Sequence, residues 1–285
     1  MERATVFPPG RVTIVGVLNL TPDSFSDGGR FVDRVGVDVR AAVGAGAALA
    51  AAGAHVVDVG GESTRPGADE ISAGEEIDRT HRVVEALSKE LAVPISIDTR
   101  RAEVAEAALD AGASVVNDVS GLGHDPRLAE LAARRGATLI LGHMRGGPAT
   151  MQRDISFADV VAEVSDELAA SVTRAAAAGV SRERLCVDPG IGFGKLLPHN
   201  LALLSRVGEL KERLGLPVLV GPSRKSFLGE LTGDPVGDRD TATHAACAVS
   251  VFAGADAIRV HDVGGARRAV QVALALREAA AESSR

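Results

Sequence analysis

Residues 51–58 read AAGAHVVD, an Ala-rich stretch, then a glycine, then a short apolar run that ends on an aspartate. The same arrangement recurs as DAGASVVND (110–118), RGATLILGH (135–143), AGADAIRVH (253–261) and, more loosely, AGVSRERLCVD (178–188). Glycine ends a helix by adopting a left-handed conformation, and an apolar run without alternation is typical of a strand buried on both faces. Each copy therefore predicts a helix followed by a buried parallel strand.

Three further apolar runs complete a set of eight predicted strands: VTIVGVL (12–18), VPISID (93–98) and LPVLVG (216–221). The eight strands are predicted to end near Asn19, Gly60, Asp98, Asp118, His143, Asp188, Gly221 and His261. Predicted helices fill the intervals at about residues 38–52, 75–91, 101–111, 126–135, 157–178, 199–214, 238–253 and 264–281.

This succession of strands and helices predicts an α/β protein, a (β/α)8 TIM barrel. Parallel strands joined by helices wind in a right-handed sense, and eight such units suit a chain of 285 residues. No Pro/Ser-rich linker interrupts the chain, so residues 1–285 are predicted to form a single domain with a core at about 11–281. An open doubly wound sheet is the alternative. It would place G-x-G-x-x-G after the first strand, where the chain has NLTPD.

Composition narrows the classes of partner. A formal net charge of −7 argues against nucleic acid or an anionic membrane surface as the ligand. No apolar run is long enough for a membrane span, and the first residues lack the pattern of a signal peptide. Cys186 and Cys247 lie in apolar runs without metal-ligand spacing, which is typical of buried free thiols and fits a reducing cytoplasm.

Polar residues stand at the ends of most predicted strands, where a buried strand has no need of them: Asn19, Asp58, Asp98, Asn117, Asp118, His143, Asp188, Arg259 and His261. One such residue commonly caps a helix or bonds a loop amide. Their convergence on the carboxyl-end rim of a barrel predicts a ligand pocket. Asp58, which precedes a Gly-Gly turn, is interpreted as structural, holding loop backbone. The long connections at about 19–37 and 60–72 follow strand ends, and loops of this length are usually functional lids or disordered segments.

The residue types indicate the ligand only in outline. Cationic and imidazole groups near the seventh and eighth strand ends suit a multiply charged anion: Arg224, Lys225, Arg259 and His261. Carboxylates and an amide on other strands suit the amino-amide edge of a planar heterocycle: Asp98, Asn117 and Asp188. The sequence has no histidine spacing of a zinc site and no G-x-S-x-G nucleophile elbow. The residue types therefore indicate a ligand that combines an anionic group with a polar ring, and they do not identify it further.

Eight segments, in order along nearly the whole chain, resemble the signature segments of the dihydropteroate synthase family: NLTPDSFSDGG (19–29), DVGGESTRPG (58–67), SIDT (96–99), ND (117–118), HMRG (143–146), DPGIGFGK (188–195), SRKS (223–226) and RVHDV (259–263). Each is weak alone, but together they are very specific. The resemblance implies that 4-aminobenzoate is joined to 6-hydroxymethyl-7,8-dihydropterin pyrophosphate for folate synthesis. It also implies Mg²⁺, a homodimer and competition by sulfonamides at the aminobenzoate site.

The resemblance also implies residue roles. The pterin-binding positions match Asp98, Asn117, Asp188 and Lys225, and the pyrophosphate-binding positions match Asn19, Arg259 and His261, with Asn19 also near Mg²⁺. Positions around the aminobenzoate match Thr64, Arg65, Pro66, Phe193, Ser223 and Lys225, with Phe25 supplied by the first lid loop. Gly221 is a further substrate-binding position. The catalytic positions are taken to be Asp98, Asp188, Lys225, Arg259 and His261.

Two related functions remain as alternatives: a non-catalytic pterin-binding paralogue and a pterin-dependent methyltransferase. The intact lid motifs Thr64-Arg65-Pro66 and Asp23-Ser24-Phe25 argue against the paralogue. A methyltransferase would need neither Thr64-Arg65-Pro66 nor Ser223-Arg224-Lys225, and both are present. Pro222 and Gly142 depart from the residues expected most often at their positions.

Overall fold

In the computed structural model of the chain, residues 5–21, 31–33, 36–65 and 67–283 are described. Phe25 and Pro66, predicted to bind substrate, lie outside these residues. Within them, eight parallel strands form one sheet. The strands are β1 (Thr13–Asn19), β4 (Val56–Gly60), β5 (Ile95–Asp98), β6 (Val115–Asp118), β7 (Thr138–Gly142), β8 (Leu185–Asp188), β9 (Leu219–Val220) and β10 (Ala257–Val260). Their order in the sheet is β8-β7-β6-β5-β4-β1-β10-β9. A parallel bridge between Val187 and Val218 brings the two edges together, so the sheet closes into the predicted TIM barrel.

Helices surround this ring. They are α1 (Val39–Ala52), α2 (Ala73–Glu90), α3 (Ala102–Asp110), α4 (Arg127–Arg135), α5 (Val160–Ala177), α6 (Leu197–Ser205), α7 (Val207–Leu214), α8 (Ser226–Thr232), α9 (Asp240–Phe252) and α10 (Val263–Ser283). Gly53 and Gly136 cap α1 and α4 in the left-handed conformation, with φ of 108° and 58°. The helix-ending role of the glycine in the repeated template is confirmed at both sites.

Three local features differ from the sequence-based expectation. The single helix expected at 199–214 is divided at Arg206, whose φ of −113° and ψ of 27° are not helical. The short helix α8 was not predicted. The first long connection contains a small antiparallel pair, β2 (Val32–Asp33) and β3 (Gly36–Val37).

The side chains inside the barrel come from alternate positions of the strands. A buried cluster joins Phe7 to one residue from each of seven strands: Val15, Val56, Val115, Ile140, Cys186, Leu219 and Ala257. Because successive side chains of a strand point to opposite faces, their sequence neighbours face the surrounding helices. This apolar layer, plugged by Phe7 from the amino-terminal segment, fills the lower part of the barrel.

The same alternation decides which polar residues reach the barrel axis. Two positions after the apolar layer, the inward places are taken by Asp58, Asn117, Asp188 and Arg259. Asp118 has the opposite orientation, and its carboxylate accepts hydrogen bonds from the backbone amides of Ser120 (2.8 Å) and Leu122 (2.6 Å). A charged layer therefore lies directly above an apolar one, toward the carboxyl ends of the strands.

In the described part of the chain, no helix is both long enough and apolar enough to cross a lipid bilayer. Cys186 and Cys247 are both free and buried, as the sequence predicts.

Candidate active site

A cavity of about 420 Å³ opens at the carboxyl ends of the barrel strands. Its walls bring together predicted site residues that are separated by up to 242 positions: Asn19, Thr64, Arg65, Asp98, Asn117, Asp188, Phe193, Gly221, Ser223, Lys225, Arg259 and His261. This volume lies in the range of small-molecule sites. The convergence expected from the barrel is therefore present in the structure.

A buried ion-pair network forms the floor of the cavity. Arg259, on β10, donates from Nε to Asp58 Oδ2 at 2.6 Å and from Nη2 to Asp98 Oδ2 at 2.7 Å. Asn117 Nδ2 also donates to Asp58 Oδ2, at 3.1 Å. Burial opposes the charge of Arg259, but attraction by Asp58 and Asp98 outweighs it and raises the pKa of the guanidinium. Arg259 is thus a permanent cation with its orientation fixed from two sides.

Asp58 has a different partner from the one expected. The sequence suggested that it holds loop backbone after the Gly-Gly turn. Its described hydrogen bonds instead go to side chains, those of Arg259 and Asn117, and none of its surface is exposed. Asp58 supports the cavity floor from below.

Asp98 and Asp188 are acceptors whose protonation is shifted by their surroundings. Burial raises the pKa of Asp98 to about 7, with Arg259 acting against the shift and Asp58 and Glu76 adding to it. Burial also raises the pKa of Asp188, although its Oδ1 accepts a 2.7 Å hydrogen bond from the Gly190 amide. Asp98 Oδ1 is buried and has no hydrogen-bond partner among the described residues. An acceptor without a partner in a cavity floor suits a ligand that brings N–H groups.

Lys225 provides the cation opposite these carboxylates. Its Nζ lies 3.9 Å from the centre of the Phe193 ring, a cation–π contact. Burial and the nearby Arg259 charge lower the pKa of Lys225 to about 8, while Asp188 and Asp98 act in the opposite direction. Lys225 and Phe193 together form one wall of the cavity, with a cationic and an aromatic side chain.

His261 and Ser223 form a second polar pair at the rim. Ser223 Oγ lies 2.8 Å from His261 Nδ1, and Asn19 Nδ2 lies 3.5 Å from His261 Nε2. One tautomer satisfies both contacts: Nδ1–H donates to Ser223, and Nε2 accepts from Asn19. Burial and the nearby charges of Arg224 and Arg259 lower the pKa of His261 to about 3. The imidazole is therefore neutral at physiological pH without ligand.

Arg224 borders the cavity but is held by a partner. Its Nε and Nη2 donate to the two carboxylate oxygens of Asp240 at 2.7 and 2.8 Å. Its backbone φ of 56° is uncommon for a residue with a side chain. The sequence pattern suggested that Arg224 and Arg259 both bind an anion, whereas in the structure Arg224 pairs with Asp240, which is not one of the strand-end residues.

The loop after β4 is anchored by charged residues that the sequence did not single out. Glu62 accepts from Arg100 at 2.8 Å and from Arg101 at 2.9 Å, and all three side chains are largely buried. Arg79 donates to the Gly61 carbonyl at 2.9 Å. Glu62 belongs to a quoted motif and Arg100–Arg101 follows a predicted strand end, but only tertiary structure joins them. Their network fixes the loop that carries Thr64 and Arg65.

His143, like Asp118, lies away from the cavity. Its Nε2 contacts Glu167 at 2.9 Å, and its Nδ1 lies 2.9 Å from Lys195 Nζ. Lys195 also donates to the Phe193 carbonyl at 2.9 Å, and burial lowers the pKa of this lysine to about 7. The network therefore acts behind the Gly190–Gly194 loop, holding the backbone of Phe193.

Gly142, one of the two departures, has a local steric reason. A Cβ at this position would lie 2.5 Å from the Val119 Cα. The neighbouring strand ends approach too closely there for any side chain.

Acidic and amide groups on the cavity floor, with the cations Arg259 and Lys225 beside them at the carboxyl end of a TIM barrel, define a site for a small polar heterocycle bearing an anionic group. The model of the pterin binding enzyme family matches residues 15–261 of the chain. The chain therefore belongs to the pterin-binding enzymes.

Relatives within this family narrow the assignment. A dihydropteroate synthase of Synechocystis sp. is 46% identical over 274 residues, covering 95% of this chain and 93% of its own. The Escherichia coli K12 dihydropteroate synthase is 42% identical over 268 residues, covering 93% of each. A Yersinia pestis dihydropteroate synthase structure with a sulfonamide drug superposes with a TM-score of 0.88 at 40% identity, over 94% of this chain and 95% of the other. The motif resemblance is confirmed: the chain is one of the dihydropteroate synthases, transferases of folate biosynthesis.

Proposed function

We propose that the cavity condenses 6-hydroxymethyl-7,8-dihydropterin pyrophosphate with 4-aminobenzoate, giving 7,8-dihydropteroate and pyrophosphate. The observation that carries this proposal is the meeting of the Asp98–Asn117–Asp188 floor and the Arg259 cation in one cavity. A Xanthomonas albilineans dihydropteroate synthase structure with 4-aminobenzoic acid is 41% identical to this chain, with a TM-score of 0.84, over 94% of each chain. That relative supports the choice of the second substrate.

The floor suits the pterin ring. The ring presents amino and amide N–H groups like those of guanine, and carboxylates are strong acceptors for them. Asp98 Oδ1 has no described partner, and Asp188 keeps one oxygen beyond its bond to Gly190. Asn117 and Lys225 add donors for the ring carbonyl and a ring nitrogen. Each polar edge of the ring thus finds a group of the opposite kind.

Arg259 and His261 suit the pyrophosphate. Arg259 uses Nε–H and one Nη2–H for the carboxylates beneath it, so Nη1 and the other Nη2 hydrogen remain for an anion. A pyrophosphate beside His261 would favour the protonated ring and raise its pKa above the ligand-free value. These donors bind the leaving group while negative charge accumulates on it.

The reaction then needs little acid–base chemistry from the protein. The C–O bond to pyrophosphate breaks and the leaving group takes the electron pair, while the exocyclic CH2 gains cation-like character that the ring and Asp188 stabilise. The neutral aryl amine forms the new C–N bond and afterwards releases one proton. Phe193, Lys225 and Ser223 border the place where the amine would lie, so orientation is their main contribution. The loop bearing Thr64 and Arg65 helps exclude water, which would otherwise capture the cation.

Magnesium is part of the proposal, with a limited role for the protein. Among the described residues, no three His, Cys, Asp or Glu side chains come together as a metal site. We therefore propose that Mg²⁺ takes most of its ligands from substrate phosphate and water, as this ion commonly does. The Asn19 amide oxygen would be a protein ligand. When bound, the ion would neutralise charge on the pyrophosphate.

We also propose that the chain is a cytoplasmic homodimer inhibited by sulfonamides at the aminobenzoate site. The adjacent helices α9 and α10 expose Val249, Phe252, Val272 and Leu276, each more than 45% accessible. An exposed apolar surface of this kind suits a second copy of the chain. The two free buried thiols fit a reducing compartment.

One assay tests the function. The purified chain is mixed with dihydropterin pyrophosphate, Mg²⁺ and 4-aminobenzoate, and pyrophosphate release is followed with and without the aminobenzoate. The synthase predicts release that depends on aminobenzoate and is inhibited competitively by a sulfonamide. Tight pterin binding without release would instead support the non-catalytic paralogue. Magnesium removal by EDTA should abolish the release, and its restoration should recover it.

A further inference from the structure

Asp58 is a fully enclosed carboxylate directly beneath the candidate active site. The family resemblance gives it no role, and the sequence suggested only a bond to loop backbone. Its described partners are instead two side chains that belong to different halves of the proposed substrate site. This placement indicates a contribution to the reaction.

One oxygen of Asp58 joins the two halves. Oδ2 accepts from Arg259 Nε at 2.6 Å and from Asn117 Nδ2 at 3.1 Å. Arg259 is proposed to bind the pyrophosphate and Asn117 the pterin ring. A shared acceptor therefore fixes the distance between a donor for the leaving group and a donor for the ring.

The second carboxylate on Arg259 makes this support necessary. Asp98 Oδ2 accepts from Arg259 Nη2 at 2.7 Å. Without Asp58, Asp98 would be the remaining described carboxylate bonded to this guanidinium. Arg259 would then turn toward Asp98, away from the pyrophosphate, and occupy an acceptor that the pterin ring needs. Asp58 balances that attraction from the opposite side.

We propose that Asp58 is a positioning residue that holds Arg259 and Asn117 in register, so that one substrate is gripped at its ring and its pyrophosphate together. The inference rests on the proposed function and adds to it a residue that does not touch substrate. Asp58 acts through both partners, and its loss should be felt in the affinity for the intact pyrophosphate ester above all.

Two substitutions separate charge from hydrogen bonding. In Asp58→Asn, the amide oxygen can take the place of Oδ2 and keep both contacts while the charge is lost. In Asp58→Ala, both contacts are lost. The matched control is Asp118→Asn, because Asp118 is equally enclosed but faces outward and bonds the backbone of Ser120 and Leu122.

The measurements are KM for each substrate, the Kd of free pterin, the pH profile of kcat/KM and the melting temperature. Asp58→Ala should raise KM for dihydropterin pyrophosphate tenfold or more, with a smaller change in the Kd of free pterin and little change in KM for aminobenzoate. Asp58→Asn should show a weaker form of this pattern. The acid limb of the pH profile should move to lower pH in both variants, since the charge of Asp58 helps to raise the pKa of Asp98, which Glu76 also raises and Arg259 and Lys225 lower. Asp118→Asn should lower the melting temperature and leave every KM within twofold.

The outcomes are distinguishable. If the wild-type chain shows no aminobenzoate-dependent pyrophosphate release, the proposed function fails. If the wild type is active and Asp58→Ala keeps wild-type KM values and pH profile while only its melting temperature falls, Asp58 is structural and the inference is overturned. The inference is equally overturned if both Asp58 variants fail to fold while Asp118→Asn folds, because Asp58 would then serve the barrel itself.

Discussion

Replacing Arg259 with methionine removes the cation from a buried network and keeps the side-chain volume nearly unchanged. Arg259 donates one hydrogen bond each to Asp58 and Asp98, at 2.6 and 2.7 Å. A hydrogen bond to a charged group contributes about 1.5–3 kcal/mol, and removing one partner of a buried ion pair costs about 3–5 kcal/mol. We therefore expect the free energy of unfolding at pH 8 to fall by about 3–5 kcal/mol.

The free energy of unfolding lost in the Arg259→Met variant should be larger at pH 8 than at pH 5. The pKa of Asp98 is about 7 with Arg259 present, already above its ordinary value, and removal of the cation raises it further. A carboxyl group whose pKa is raised by folding causes no penalty below its unfolded pKa of about 3.9, and the penalty grows as pH rises toward the folded value. At pH 5, Asp98 of the variant is protonated. An increase in its pKa from about 7 to about 8 makes the loss at pH 8 larger than the loss at pH 5 by about 1 kcal/mol.

Urea unfolding followed by circular dichroism at pH 5 and pH 8 measures both quantities. Arg174→Met is a suitable control, because Arg174 donates to the Gly121 carbonyl and the Ser171 hydroxyl, neither of which titrates. Adding Asp98→Asn to the Arg259 variant should reduce the difference between the two pH values, with Asp58 the remaining carboxylate that has lost its bond to Arg259. An equal loss at pH 5 and pH 8 for Arg259→Met alone would refute the electrostatic explanation.

Three further substitutions test separate parts of the site. Arg65→Ala should leave the pterin Kd nearly unchanged, measured by calorimetry, and lower kcat about tenfold; normal turnover would show that its loop is not a lid. Lys195→Met should raise KM for aminobenzoate several-fold, because the hydrogen bond that holds the Phe193 backbone is lost. The melting temperature should not fall, because the substitution also removes a buried ammonium group. An unchanged KM would contradict this reasoning. Gly142→Ala should cost about 1–3 kcal/mol in urea unfolding, because its Cβ would overlap the Val119 backbone; wild-type stability would mean that the strand ends move apart easily.

The sequence predicts the barrel well because each strand carries its own signals. The glycine or proline before a strand, the apolar run and the polar residue or glycine at its end are all local, so the ends of β1, β4, β5, β6 and β8 are confirmed to the residue. The break at Arg206 between α6 and α7 has only a weak signal, because the nearest glycine, Gly208, falls within the first turn of α7 and a single glycine is tolerated inside a helix. The short α8 begins at Ser226, the last residue of the SRKS segment, and no helix was predicted between the seventh strand and residue 238.

The site was predictable to the extent that alternation along a strand could be applied. Side chains alternate in direction along a strand, so of the adjacent residues Asn117 and Asp118 one points inward and the other outward. Asn117 lines the cavity, and Asp118 bonds backbone. The role of Asp58 could not be predicted in this way, since its partner Arg259 is 201 residues away in the sequence. Long-range charge pairing is the information that local patterns lack.

The barrel has an uneven seam. Between β8 and β9 a single bridge, Val187 to Val218, closes the ring, and the Val187 amide donates to the Pro217 carbonyl at 3.0 Å. Asp188 follows directly on one side of this junction and Lys225 lies shortly beyond the other. A pterin ring bound to Asp188 and Lys225 together, as proposed, would link the two sides of this junction. Substrate binding would then stabilise the barrel itself and not only the loops above it.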